Sequence, residues 1–392
     1  MRATYRNRAL TLTSSAAALL LAAGCSAASG DDDGPIDLGV IIEKTGPLAV
    51  LGLPELDAIN LAVKQVNQAG GVRGRTVRLV VRDSESQPAV AAAAAREFAR
   101  RKDVPAVLGT ATGAGCSAMN AILEPKGVMQ FCLSPIATRV QPLIFWAQGS
   151  LDEYHVFLTP YFAHKGMTRI ALVRTADATG DAMEKIARDL TVRNPKIKLT
   201  GVETFQSGAT NVQTQLIRLR GQRPDVVIAG ASGANLLPIT QGMNALGMKM
   251  PLVVGHGAVA HSVLNLVKGS MVPGGMVAGV HWVNLPVAEI PASVPNRDTI
   301  LKFRAAWQAT YGAKPTGHSE AAAFDATNQI LDALKGGAGT GKEIAAHVEK
   351  SRSVGVLGSY TYTKDDHQGL GYFPGMLRFG TDGQFHLEYL AK

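Results

Sequence analysis

The 392-residue chain has no dense run of lysine and arginine with aromatics interleaved, so nucleic acid is a poor partner for it. Charge is sparse, with 39 basic and 31 acidic residues. Arg2, Arg6 and Arg8 lie ahead of Cys25 and no acid does, so the chain beyond Cys25 is only mildly basic. The apolar run over residues 16–23 is too short to span a bilayer as a permanent helix. The parts of hydrolytic chemistry are also missing. There is no G-x-S-x-G elbow, since Gly230-Ala231-Ser232-Gly233 is one residue wrong. His256 and His261 stand five apart with no glutamate between them, which is not a zinc helix. No nucleophile–base set emerges, and the reading is a protein without catalysis.

Two glycine-rich stretches come close to nucleotide motifs and fail. Gly113-Ala114-Gly115-Cys116-Ser117-Ala118 matches G-x-G-x-x-A between a strand and a helix. No acid follows about 20 residues on to hold a ribose. The glycines still leave a helix N-terminus, around Gly115, as a seat for a carboxylate. Residues 336–342 (GGAGTGK) resemble a phosphate loop, but Glu343 stands where Ser or Thr must hold the metal. That stretch reads as an interhelix loop. No cofactor is expected.

The start of the chain is an address. A basic flank, a short apolar core and the small residues Ala22-Ala23-Gly24 precede Cys25. This is a bacterial export signal with a lipoprotein cleavage box. Residues 1–24 are then a leader, Cys25 carries the lipid, and residues 25–34 (CSAASGDDDG) are a flexible tether. The protein is expected outside the cytoplasm, in the periplasm or at the cell surface. Cys116 and Cys132 remain, and in an oxidising compartment they read as a disulfide, with two buried free thiols as the alternative.

Beyond the tether, strand and helix patterns alternate. Residues 36–42, 76–82, 106–109 and 128–132 read as strands, with helices over 54–67, 88–101 and 116–126. The pattern restarts with strands at 169–174, 199–205, 225–230 and 252–255 and helices at 181–193, 211–220 and 236–246. Helices at 297–311, 319–334 and 342–350 and a β section over 360–389 complete it. The fold class is α/β, with two doubly wound parallel-sheet lobes and a ligand cleft at the carboxyl ends of their strands. Lobe 1 is expected over 35–150 and 285–357, lobe 2 over 151–284 and 358–392.

Local stretches then point to a family. They are Gly46-Pro47, the helix end VNQAGGVRGR (residues 66–75), Leu108-Gly109, Ser134-Pro135, Pro224-Asp225, Phe324-Asp325-Ala326 and Asp366-His367-Gln368-Gly369. Together they resemble the type I periplasmic solute-binding proteins of ABC transporters, in the leucine/isoleucine/valine-binding branch. The resemblance implies two lobes joined by three crossings and closing on a ligand by hinge motion. It also implies a monomer that delivers its solute to a transporter permease. In the first lobe it places ligand contacts at Leu51, Thr112, Gly113, Ile136 and Thr138. In the second it places them at Thr179, Ser232 and His256, with Tyr154 and Trp282 as aromatics near the crossings. The acid that reads an ammonium in amino-acid binders falls on His256, and an imidazole cannot replace a carboxylate there. The expectation is therefore a small polar metabolite, an organic or aromatic acid or an amino-acid-like solute, with a carboxylate on the first-lobe loops; a ligand sensor on the same fold and a canonical branched-chain amino acid binder are the alternatives.

Overall fold

The computed structural model describes residues 34–136, 141–371 and 373–391. Residues 1–33, read above as leader, lipid-bearing Cys25 and most of the tether, and Thr138 lie outside the described residues.

β1 (Ile36–Ile42) is a buried interior strand of the first sheet, with Leu38, Val40, Ile41 and Ile42 wholly enclosed. A strand covered by helices on both faces has no polar side to show, and its sequence, IDLGVII, has almost none. The chain continues through α1 (Ala49–Gln68), β2 (Val77–Asp83), α2 (Pro88–Phe98), β3 (Ala106–Leu108), α3 (Gly113–Leu123), β4 (Met129–Cys132) and β5 (Ile144–Trp146). The strands lie parallel in the order β2-β1-β3-β4-β5. The order reverses between β1 and β3, so the loops after these two strands diverge and leave a crevice.

After α4 (His155–Lys165) the plan repeats. β6 (Arg169–Thr175), α5 (Ala178–Arg193), β7 (Lys198–Phe205), α6 (Gln213–Gly221), β8 (Val226–Gly230), α7 (Leu237–Ala245), β9 (Leu252–Val254), α8 (His261–Val267) and β10 (Met276–Gly279) build the second sheet. Three helices follow: α9 (Arg297–Tyr311), α10 (His318–Lys335) and α11 (Gly341–Lys350). α10 packs along α1, and α11 reaches β4, both on the first sheet's side. A hairpin of β11 (Arg352–Val354) and β12 (Ser359–Thr361) precedes β13 (Gly375–Phe379) and β14 (Phe385–Leu390). The second sheet runs β14-β13-β10-β9-β8-β6-β7. The chain thus passes between the sheets three times.

The second sheet is not wholly parallel, since β13 pairs antiparallel with β10 and β14 with β13. A late segment can add to an edge this way without a crossover helix. Several elements lack a strong sequence pattern and were not expected: β5, α4, α8 and β10. α1 begins at Ala49, five residues before the proline read as its start. Pro54 therefore sits inside the helix, where its missing N–H leaves the Val50 carbonyl without an intrahelical donor. Ser262 Oγ donates to that carbonyl at 2.6 Å and ties α1 to α8. In residues 336–342, Glu343 and Thr340 form a reciprocal capping box at the start of α11. The residue that broke the phosphate-loop motif is thus a helix cap.

Cys116 and Cys132 are bonded, with Cα atoms 5.8 Å apart, joining α3 to the end of β4. Both are buried beside Ile144 and Trp146. Opening this 16-residue separation should cost about 3 kcal/mol by unfolded-chain entropy. The Cys116→Ala/Cys132→Ala double variant should melt roughly 4 °C below wild type in a thermal scan. An unchanged melting temperature would contradict this.

Candidate functional site

The carboxyl ends of the two sheets' parallel strands share a cavity whose water-accessible core is about 30 Å³. From the first sheet come Leu51 and Glu55 on α1, Ala111 after β3, Ser134, Pro135 and Ile136 after β4, and Gln148 after β5. From the second come Thr179 and Met183 on α5, Ser232 after β8, and Gly255, His256 and Gly257 after β9. Tyr154, just ahead of α4, and Ser319 of α10 complete the polar lining. Loops from the two sides meet over it, where the Ala234 N–H donates to the Pro47 carbonyl at 3.3 Å.

The sequence-derived residues fall into four places. Leu51, Ile136, Tyr154, Thr179, Ser232 and His256 line this cavity. Thr112 and Gly113 line an outer pocket that shares Thr179 and Ser232 with it. Thr138 lies outside the described residues. Trp282 lines neither space; its ring packs edge-on against Phe373, 5.5 Å between centroids. The helix seat also needs correction, because Thr112 Oγ1 caps the Gly115 N–H at 3.1 Å. Gly113 serves by its size, since a Cβ there would stand 2.8 Å from Ile136 Cβ and push α3 off the following loop.

Electrostatics separate two groups of buried side chains. His256 is buried with its backbone N–H donating to Tyr154 Oη at 2.9 Å. Its ring meets His281 at 4.2 Å between centroids, and His281 stacks on His318 at 4.9 Å. Burial drives the His256 and His281 rings well below the usual imidazole range and His318 to about 4, so all three are neutral at pH 7. The three carboxyls move the other way. Burial raises Glu43 and Glu320 to about 7 and Glu55 well above its ordinary value. Glu43 accepts from the Ala111 N–H at 3.0 Å, and Glu320 accepts from the Gly317 N–H at 3.0 Å.

Glu55 was missed in the sequence, as were Gln148 and Ser319. The signal was present: Glu55 lies four residues after Leu51, one helical turn along the same face. Its neighbours Leu56, Ile59 and Val63 gave the helix its pattern, and an acid on that face is informative.

Two α/β sheets with a polar cavity between their carboxyl ends, and neutral hydroxyls, an amide and a carboxyl inside it, define a protein that encloses a small solute. Residues 35–373 match the family model described as periplasmic binding protein, and the chain belongs to that family, in its type I leucine/isoleucine/valine-binding branch. Its members are substrate-binding proteins. The Leu/Ile/Val-binding protein homolog 1 of Brucella melitensis is 25% identical over 364 residues, covering 89% of this chain and 92% of that one. The Leu/Ile/Val-binding protein of Escherichia coli K12 is 23% identical over 272 residues, 68% of this chain and 72% of that one. Among solved structures, the Streptococcus pneumoniae LivJ protein in complex with isoleucine aligns with a TM-score of 0.76 at 22% identity. That alignment covers 90% of this chain and 99% of that one. A solute-binding protein from R. palustris in complex with benzoate aligns with a TM-score of 0.77 at 18% identity, covering 90% and 95%. No helix among the described residues is long and apolar enough to cross a membrane.

Proposed function

We propose that this chain is an extracytoplasmic solute-binding lipoprotein. It captures a small polar metabolite in the cleft and delivers it to the permease of an ABC importer. The observation that carries the reading is the cavity itself, walled from both sheets and lined by small polar groups such as Ser134, Gln148, Ser232 and Thr179. The ligand contacts are Leu51, Ile136, Tyr154, Thr179, Ser232 and His256 inside, with Thr112 and Gly113 in the outer pocket; Thr138 is proposed from the family resemblance. Lobe 1 spans 35–150 and 285–357, lobe 2 spans 151–284 and 358–392, and they close over the solute as hinged bodies. Cys25 holds the chain at a membrane through its lipid, and the protein acts as a monomer.

Calorimetric titration of the full chain in detergent tests this, after unfolding and refolding to strip co-purifying solute. The panel is leucine, valine, phenylalanine, benzoate and aliphatic carboxylates. One-to-one binding of at least one probe, with a Kd of about 10 μM or tighter, is the expected result. Silence across the panel would overturn the reading.

A further inference from the structure

A separate pocket beside α9 has about 300 Å³ of water-accessible space and shares no lining residue with the solute cavity or the outer pocket. That volume is at the lower end of the range of small-molecule sites. α9, the loop from it to α10 and the connection from β10 to α9 form most of its wall. His261 of α8 and Gln384 of the β13–β14 turn complete it from the second sheet's side. Its charge is of one sign. Arg304 and Lys314 line it, and no aspartate or glutamate does so among the described residues. Lys314 pairs with Asp57 on α1. Arg304 pairs with no carboxylate among the described residues; its Nη2 donates to the carbonyls of Val283 and Leu285, each at 2.5 Å. Burial lowers the guanidinium from its ordinary value, and no neighbouring acid offsets that loss. Burial first, and the Arg304 charge second, drive the His261 ring down to about 4, so the cation faces a neutral imidazole. A charge drawn partly out of water is normally paired.

We infer that the α9 pocket is a second ligand site, for a small organic anion whose carboxylate or phosphate pairs with Arg304 and whose apolar body lies against Leu285, Trp307 and Pro315. Only Nη2 of the guanidinium is engaged by the described residues, so Nε and Nη1 are left as donors for an oxyanion. Trp307 spends its indole N–H on the Lys314 carbonyl at 2.8 Å and offers the pocket an apolar surface. Exposed Gln308, one helical turn beyond Arg304, adds an amide donor. α9 is tied to α1, since Tyr311 Oη donates to the Asp57 carbonyl at 2.7 Å. An occupant would therefore touch elements belonging to both sheets. The inference stands apart from the solute-binding reading, because it uses no residue of the solute cavity.

The full chain in detergent, carrying isotope-labelled tryptophan, tests this by titration with benzoate, hexanoate and phenyl phosphate. Benzamide is the uncharged control, and the indole N–H resonance of Trp307 is the readout. At least one anion should shift that resonance saturably, with a Kd of about 1 mM or tighter, while benzamide leaves it in place. The anions that do so name the head group. Gln308→Glu sets an acid beside Arg304 at an exposed position and should weaken the binding anion at least about tenfold, whereas Gln308→Lys should not weaken it. A Trp307 resonance unmoved by every anion would overturn the inference. So would a shift that benzamide reproduces or that Gln308→Glu leaves unchanged. Calorimetric heat from an anion that does not move Trp307 would place that anion in the solute cavity, overturning this inference and leaving the solute-binding reading intact.

Discussion

Gly109→Ala should destabilise the chain by roughly 4 kcal/mol or more, far beyond an ordinary point substitution. Gly109 follows β3 and adopts φ +113°, where a side chain is strained. A Cβ there would also stand 1.8 Å from the carbonyl oxygen of Ile41, on the neighbouring strand β1. The obstacle is backbone in the middle of a sheet and cannot swing away as a side chain could. Nor can Gly109 move. Its N–H donates to the Phe131 carbonyl at 2.9 Å, and its own carbonyl accepts from Gln130 Nε2 at 3.2 Å. Gly127→Ala is the matched control, since that glycine has φ +75° with nothing within 4 Å of the added methyl. It should cost only about 1 kcal/mol for its backbone conformation. Chemical denaturation of the two variants separates the clash from the conformational cost. Equal losses would show that the sheet yields at Gly109.

The parts legible in the sequence were those that repeat. Buried parallel strands such as β1 and β8 are continuous apolar runs, and α9 was placed at its observed ends because its periodic face is unbroken. The three-residue strands β5 and β10's four residues carry too few positions to show a pattern. The antiparallel addition of β13 follows from which sheet edge is open, a property of the assembled fold and not of the segment. Thr179, Ser232 and His256 came from the family resemblance, and the structure brings all three into one cavity lining. At Glu55 the helical spacing marked the position, but its neighbours did not show in the sequence. The packing of α10 on α1 brings Glu320 near and closes Glu55 from water. Trp282 illustrates the opposite error, because a large aromatic near a crossing suits a cleft and a core equally well.

Stability should be nearly independent of pH between about 4.5 and 6.5, although eight buried groups titrate abnormally. Glu43, Glu55, Glu320 and Asp325 have folded pKa values raised by burial, to about 7 for Glu43, Glu320 and Asp325. Each keeps a proton in the native state that the unfolded chain has lost, so its contribution is full at low pH and is lost as pH rises through the folded value. His256, His261, His281 and His318 are lowered by burial, His261 and His318 to about 4. Each is neutral in the native state while the unfolded imidazole is charged, so its contribution is present above the unfolded value and lost as pH falls. Four protons held more tightly and four held less tightly cancel in this window. The carboxylates lowered by ion pairing or hydrogen bonding, such as Asp37 and Asp83, act below it. Above about 6.5 the imidazoles no longer compensate, and stability should fall as the acids give up their protons. Single substitutions expose the balance. Glu320→Gln leaves one imidazole uncompensated, and stability should then rise by about 1.4 kcal/mol per pH unit across the window. His261→Gln leaves one acid uncompensated, and stability should fall by about the same amount per unit. Urea unfolding at pH steps through the window measures all three slopes. Variant profiles that run parallel to wild type would mean that these two groups titrate normally in the fold, and the compensation would not exist.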